Sequence, residues 1–88
     1  MILKGKVVIV TGAGPGMGQA MCRGAAMEGS RVVVTARSVD AIEAIARDIC
    51  DAGGEAIARR CDVSSVDDCT AIAQAALDAW GRIDGLVN

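Results

Sequence analysis

The sequence predicts an α/β fold in which a doubly wound parallel sheet, with strands in the order 3-2-1-4, carries three helices. Short β-branched runs alternate with longer amphipathic stretches along all 88 residues. The connections between them are short, as right-handed crossovers between parallel strands require. Apolar residues make up 52% of the chain and charged residues 23%, which is the composition of a globular domain and not of a disordered one.

Four runs of residues have the character of strands. Residues 7–10 and 31–36 are rich in valine and largely apolar, as in parallel strands that are buried on both faces. Residues 55–61 are more polar, which suits a strand at the edge of a sheet. Residues 83–88 begin a fourth strand. The polar third strand is therefore expected outermost and the apolar first strand inside.

Three helices connect these strands. Residues 19–28 are rich in alanine and methionine, and Gly29 follows in the position that favours a left-handed cap. A second helix has Ser38 as its candidate N-cap and ends at the Gly53-Gly54 pair. The apolar face of this helix carries Ile42, Ile45 and Ile49.

The third helix begins at a variant capping box formed by Ser65 and Asp68, and it ends at Gly81. We expect one stripe of this helix to be apolar and to face the core. The stripe contains Val66, Cys69, Ile72, Ala73, Ala76, Leu77 and Trp80.

Charge narrows the class of partner. The net charge is −2 and the nine basic residues are scattered along the chain. Such a pattern offers no basic patch for nucleic acid or for an anionic membrane surface. A small-molecule ligand is therefore favoured.

The cysteines limit the metal sites and redox motifs that the chain could contain. The four cysteines include no CxxC pair and the chain has no histidine, which excludes the common zinc patterns and the thioredoxin-type motif. We predict reduced, mostly buried thiols and no metal site.

The first residues lack a secretory signal pattern and the apolar runs are too short to span a bilayer, so a cytoplasmic protein is expected.

A glycine-rich turn at residues 11–18 joins the first strand to the first helix. Gly12 permits a sharp turn, Gly16 lets the backbone approach a pyrophosphate, and Gly18 allows the helix to pack tightly on the strand. Met17 contributes its backbone to this turn. Free N–H groups and the positive end of the helix dipole favour phosphate there. A glycine-rich connector without a ligand is the alternative.

The spacing of these glycines, TGxxxGxG, resembles that of the short-chain dehydrogenase/reductase family and differs from both GxGxxG and the P-loop. Asp62-Val63 after the third strand looks like the family's adenine-contacting pair. Residues 81–88 look like the approach to the family's NNAG segment, with Asn88 as its first Asn. The resemblance thus covers essentially the whole chain. The sequence departs from the family at Gly14-Pro15, where a Ser or a basic residue is common, because proline offers no N–H and no side-chain donor.

The resemblance implies a Rossmann-type fold and an oxidoreductase that transfers hydride between NADP(H) and a carbonyl or alcohol substrate. It also implies a parent protein that is a homodimer or a homotetramer. Cofactor contacts would come from the glycines and Met17 of the turn, from Asp62 and Val63, and from Asn88.

The residues after the second strand favour NADP(H) over NAD(H). In dinucleotide-binding folds an acidic side chain at this corner bonds the ribose hydroxyls, whereas here Arg37 and Ser38 follow Ala36. The planar guanidinium of Arg37 suits a 2′-phosphate. The alternative is that Arg37 is a solvated surface arginine.

Asp62 has two candidate roles. In the resembling family the carboxylate accepts a hydrogen bond from the adenine amino group, and the backbone of the following residue contacts the ring. A carboxylate placed just before Val63 and Ser64 could instead help to cap the third helix. Both roles are compatible with the sequence.

The chain contains no candidate catalytic residue. The resembling family uses a Tyr assisted by a Lys, with a Ser that polarises the carbonyl. This sequence has no Tyr and no His, and its only lysines, Lys4 and Lys6, precede the first strand. We therefore expect residues 1–88 to be the N-terminal part of one nucleotide-binding domain that lacks its catalytic half and is inactive alone.

Two other classes compete with this interpretation. A non-catalytic sensor or regulatory module would bind NADP(H) and report redox state through a partner. A methyltransferase-like fold is also glycine-rich after its first strand, but that site usually has an acidic residue at the end of the second strand, where this chain has Ala36-Arg37.

Overall fold

The computed structural model describes residues 4–12, 17–62 and 64–87, with the backbone alone at Met17. Strands and helices alternate along the chain: β1 Val7–Val10, α1 Met17–Met27, β2 Arg31–Ala36, α2 Val39–Asp51, β3 Glu55–Arg60, α3 Val66–Trp80 and β4 Gly85–Val87. The strands form one parallel sheet in the order β3-β2-β1-β4. The predicted fold class and strand order are confirmed, with the polar β3 at an edge.

Both faces of the sheet are buried under helices. Alternate residues of β1 and β2, together with Cys22 of α1 and the isoleucines of α2, form one core. The opposite face of β1 packs with Val33, Cys61 and α3 in a second core, against which Trp80 also lies. The continuous apolar character of the two inner strands follows from this double burial.

The N-cap of α2 differs from the prediction. Ser38 occupies the cap position with extended dihedrals, but its side chain makes no capping hydrogen bond. Its backbone carbonyl accepts from the Ile42 amide at 3.3 Å. The helix ends as predicted, since Gly53 has a φ of 93° and its amide donates to the Cys50 carbonyl at 3.0 Å. Ser38 thus begins α2 while its hydroxyl stays available at the surface.

The start of α3 is a capping box with one changed partner. The Asp68 amide donates to the Ser65 hydroxyl at 3.2 Å, as the motif predicts. The Asp68 carboxylate does not return to the Ser65 amide; it accepts from the Asp62 amide at 3.0 Å. The Ser65 amide donates instead to the Asp62 carbonyl at 2.9 Å. The cap therefore ties the end of β3 to the first turn of α3.

The apolar stripe of α3 is narrower than predicted. Ile72 and Ala76 are buried and Trp80 packs beside them. Val66 is 80% exposed and Leu77 is 44% exposed, so their assignment to a core-facing stripe is wrong. Only the part of the helix that lies over β1 and Cys61 is covered in the described structure.

The strand β4 begins at Gly85 and not at Ile83. The Asp84 amide donates to the Val7 carbonyl at 2.8 Å, but the Val7 amide donates to the Asp84 carboxylate, also at 2.8 Å. Because a side chain takes the place of a backbone carbonyl there, the regular ladder starts only at the next pair, Val8 and Gly85.

The cysteines are all free thiols, as predicted, but only Cys22 and Cys61 are buried, whereas Cys50 and Cys69 are exposed. Burial raises the pKa of Cys22 to about 11. Within the described part of the chain, no cluster of three potential metal ligands occurs. None of the described helices is long and apolar enough to cross a membrane.

Candidate functional site

The parallel strands all end at one edge of the sheet, and polar residues follow three of them there. Thr11-Gly12 follows β1, Arg37-Ser38 follows β2, and Asp62 lies just beyond β3. Ligands of open α/β sheets bind in the crevice outside the carboxyl ends of the strands. We refer to this edge as the carboxyl edge.

The turn after β1 is hydrogen-bonded to the end of β4. The Thr11 amide and the Thr11 hydroxyl both donate to the Val87 carbonyl, at 2.8 and 3.0 Å. Gly12 has a φ of 67°, and a methyl group on it would meet no atom of the described residues within 4 Å. Gly12 is therefore required for its dihedral, and the space beside it is open as far as the described residues extend.

The first turn of α1 lies directly beyond this glycine-rich segment. The helix begins at Met17, with the half-buried Gly18 next in it. The first amides of a helix have no partner inside the helix, so they can bind an anion. No acidic residue lies in this first turn. Gly16 and the Met17 side chain lie outside the described residues.

Arg37 and Asp62 lie side by side at the carboxyl edge. The Cys61 amide donates to the Ala36 carbonyl at 3.0 Å, which continues the β2–β3 ladder to the residues just before them. Arg37 is exposed and forms no ion pair with any residue that the structure describes. Its positive charge is nevertheless among the causes that favour the ionised Asp62 carboxylate.

The carboxylate of Asp62 is held by Ser64. Its Oδ1 accepts from the Ser64 hydroxyl at 2.7 Å and from the Ser64 amide at 3.0 Å. These two hydrogen bonds, with smaller contributions from Arg37 and Arg60, lower the pKa of Asp62 below its usual value. Oδ2 accepts no hydrogen bond from the described residues, so it can serve as an acceptor for a ligand.

The structure also tests whether the Asp62 carboxylate caps α3. Its carboxylate bonds Ser64, whereas Ser65 is the N-cap of α3 and receives the Asp68 amide. The carboxylate therefore orders the turn and does not cap the helix. Val63 and Asn88 lie outside the described residues.

Two side chains at this edge were missed by sequence reasoning. The buried Thr35 hydroxyl donates to the Val10 carbonyl at 3.0 Å, so it joins β2 to β1 just before the glycine-rich turn. Thr11 joins β1 to β4 in the same way. A threonine near the end of an apolar strand is the signal in the sequence, but the acceptor is visible only in the sheet.

A family model described as short chain dehydrogenase matches residues 6–88. The chain belongs to the short-chain dehydrogenase family. The parallel sheet with its strand order and three helices matches the fold of this family's solved structures.

Relatives of the chain include two enzymes that are each 40% identical to it. The 7alpha-hydroxysteroid dehydrogenase of Escherichia coli strain K12 matches over 86 residues, which is 98% of this chain and 34% of that protein. The 3-oxoacyl-[acyl-carrier-protein] reductase of Synechocystis matches over 87 residues, 98% of this chain and 35% of the other. The chain spans about a third of the length of these relatives.

Two solved structures resemble the chain closely. A hydroxysteroid dehydrogenase from Escherichia coli superimposes with a TM-score of 0.94 at 40% identity, over 98% of this chain and 37% of the other. A metagenomic short-chain oxidoreductase, solved in complex with NADP, gives a TM-score of 0.89 at 45% identity, over 98% and 39% of the two chains. The similarity therefore includes both backbone and sequence.

Proposed function

We propose that the chain is the NADP(H)-binding, N-terminal part of a single domain of a short-chain oxidoreductase, whose parent transfers hydride between NADP(H) and a carbonyl or alcohol substrate. One observation carries the choice of cofactor: an exposed arginine, Arg37, without an ion-pair partner among the described residues, follows β2 beside Asp62. At this corner a carboxylate would favour NAD(H), whereas a guanidinium favours the extra phosphate of NADP(H).

The residues along the carboxyl edge suit the successive parts of this dinucleotide. The open space at Gly12, the glycines at 16 and 18 and the first amides of α1, including that of Met17, would hold the pyrophosphate. Arg37 and the Ser38 hydroxyl, which makes no capping hydrogen bond, would bind the 2′-phosphate. Asp62, through its available Oδ2, and Val63 would contact adenine, and Asn88 would lie toward the nicotinamide. When bound, the cofactor supplies or accepts the hydride.

The experiment that tests the cofactor assignment compares NADPH and NADH binding by fluorescence titration. Arg37→Ala should weaken NADPH binding roughly 10- to 100-fold, because a hydrogen bond to a charged group contributes about 1.5–3 kcal/mol. NADH binding should change little. Arg47→Ala is the matched control, since it removes one exposed arginine from α2. Equal losses for NADPH and NADH, or no loss in Arg37→Ala, would contradict the assignment.

The chemistry of the parent needs groups that this chain does not contain, since the sequence has no Tyr and no His. We expect the parent sequence to continue after Asn88 as NAG, followed by a Ser and a YxxxK segment, and we expect residues 1–88 to be inactive alone. The two enzyme relatives described above have names of oxidoreductases. A parent that binds NADPH but lacks YxxxK would indicate the sensor function instead.

The location and assembly of the parent are part of the same proposal. The four free thiols suit the reducing cytoplasm. A homodimer or homotetramer follows from the family, and size-exclusion chromatography of the parent would test it.

A further inference from the structure

Two of the four cysteines lie together beside the proposed adenine corner. Cys61 directly follows β3 and is 3% exposed, while Cys69 lies in the first turns of α3 and is exposed. The Cys69 side chain is among the groups that raise the pKa of the Cys61 thiol, which places the two side chains near each other. Both also line one apolar cavity of about 330 Å³, together with Thr11 and Ile72. The two cysteines are therefore neighbours at one cavity, and Cys69 is accessible to solvent.

The backbones of the two cysteines are held together by bonds that do not involve sulfur. The Cys61 amide donates to Ala36 at 3.0 Å, which fixes Cys61 to the sheet, and the Cys69 amide donates to Ser65 at 3.1 Å, which fixes Cys69 to the helix. The neighbours join the two segments, because the Asp62 amide donates to the Asp68 carboxylate at 3.0 Å. The backbone arrangement thus keeps the two cysteines close together.

We propose that Cys61 and Cys69 form a redox-active dithiol that hydroperoxides convert to an intramolecular disulfide, closing residues 61–69 into a covalent ring. The inference goes beyond the proposed function, which uses neither sulfur atom. Cytosolic disulfides of this kind are usually transient and sense redox state. The ring would contain Asp62 and Ser65, so oxidation would act on the turn that orders the proposed adenine site.

The order of the chemical steps follows from exposure. The thiolate of the exposed Cys69 attacks the hydroperoxide, the O–O bond breaks, and the sulfur becomes a sulfenic acid while the leaving oxygen departs as water or an alcohol. The Cys61 sulfur then attacks the Cys69 sulfur, the S–OH bond breaks, and the hydroxide leaves as water with the Cys61 proton. The peroxide gains the two electrons that the two thiols lose.

Cys61 suits the second step better than the first. Burial raises the pKa of the Cys61 thiol, and the hydrogen bond with Cys69 and the charges of Asp68 and Asp62 raise it further. The thiol therefore stays protonated and protected until a sulfenic acid forms beside it. Forming the bond requires the sulfurs to approach to about 2.05 Å, so the proposal requires that rotation of the two side chains brings them together.

Tryptic mapping tests the proposal because of where the arginines lie. Cleavage after Arg60 and Arg82 releases residues 61–82 as one peptide that contains both Cys61 and Cys69, whereas Cys22 and Cys50 fall in separate peptides. The native protein is treated with dilute hydrogen peroxide, and its free thiols are blocked with N-ethylmaleimide. It is then digested with trypsin, and the masses of the peptides are measured by mass spectrometry. The expected product is an unblocked 61–82 peptide that is lighter by two hydrogen atoms and returns to the dithiol with a reductant.

Two variants and one denatured sample sharpen the result. Cys69→Ser should abolish the bridged peptide, while Cys50→Ser, which removes the other exposed thiol, should leave its yield unchanged. The proposal is overturned if the bridge between Cys61 and Cys69 forms no more selectively in the native protein than in urea. It is also overturned if disulfides form mainly through Cys22 or Cys50, or if Cys69 is oxidised to sulfinic acid without a bridge. The peroxide test uses no nucleotide and the NADPH titration uses no oxidant, so the two proposals fail separately.

Discussion

Gly12 and Gly24 show how one residue type has opposite roles at two positions. Gly12 has a φ of 67°, whereas Gly24 lies within the exposed side of α1 without a positive φ. A methyl group at either position would meet no atom of the described chain within 4 Å. The difference between them is therefore one of backbone conformation alone.

Substituting alanine at each position separates the two roles. Gly12→Ala should destabilise the fold by about 1–2 kcal/mol because an L-residue is strained in the left-handed region. Gly24→Ala should stabilise it by about 0.5–1 kcal/mol, since glycine is a poor helix former. Urea titrations of both variants measure the free energies of unfolding. Shifts of the same sign in both variants would contradict the structure.

Arg37 is the residue on which the cofactor proposal depends. Its identity was evident from the sequence, but its lack of an ion-pair partner among the described residues and its position beside Asp62 were not. Arginine at the end of a strand is often only solvated. The arrangement of β2 and β3 is what gives Arg37 a place in a binding site.

At the scale of elements, the ends of the strands are joined by side chains as well as by the ladder. The Asp84 carboxylate accepts from the Val7 amide at 2.8 Å and from Arg82 at 2.7 and 2.8 Å. The hydrogen bond from Arg82 and then that from Val7 lower the pKa of Asp84. This carboxylate therefore links the start of β4 to the start of β1 in its ionised form.

The link should make stability depend on pH. Because the folded state lowers the pKa of Asp84, its contribution is complete above the unfolded pKa of about 3.9 and is lost as the pH falls through the lower folded pKa. Urea midpoints between neutral pH and about pH 3 should fall less steeply for Asp84→Asn than for the wild type.

The control for this measurement is Glu43→Gln, an exposed carboxylate of α2 that makes no hydrogen bond or ion pair with the part of the chain described by the structure. Its pH profile should follow that of the wild type. Parallel profiles for Asp84→Asn and the wild type would show that the carboxylate contributes nothing to the joining of β1 and β4.

At the scale of the whole molecule, β4 and the segment before it carry exposed apolar side chains. Leu86 is 61% exposed and Ile83 is 38% exposed. Among the described strands, β4 pairs with β1 alone. An unpaired edge strand with apolar side chains is a template for association.

We expect the 88-residue chain to self-associate through β4. Leu86→Lys should shift the sedimentation profile toward the monomer because a charge on an edge strand opposes pairing. Met27→Lys is the control, since Met27 is 80% exposed at the end of α1, away from β4. Equal effects of the two substitutions would indicate nonspecific association through exposed apolar groups.

The sequence by itself determined the order of the elements, the double burial of β1 and β2, the left-handed glycine at 29, and the glycines that end α2 and α3. These features depend on side-chain periodicity and on backbone dihedrals, which are properties of neighbouring residues. The same reasoning located the carboxyl edge, because parallel strands end together.

Only the tertiary structure decided which long-range partners meet. The nearness of Cys61 to Cys69, the bond between Asp84 and Val7, and the exposure of Leu77 all depend on how α3 and β4 pack against the sheet. Residues far apart in sequence, or on different elements, come into contact only when the elements pack together. The local sequence pattern does not predict which of them will meet. The same packing places Arg37 beside the ionised carboxylate of Asp62.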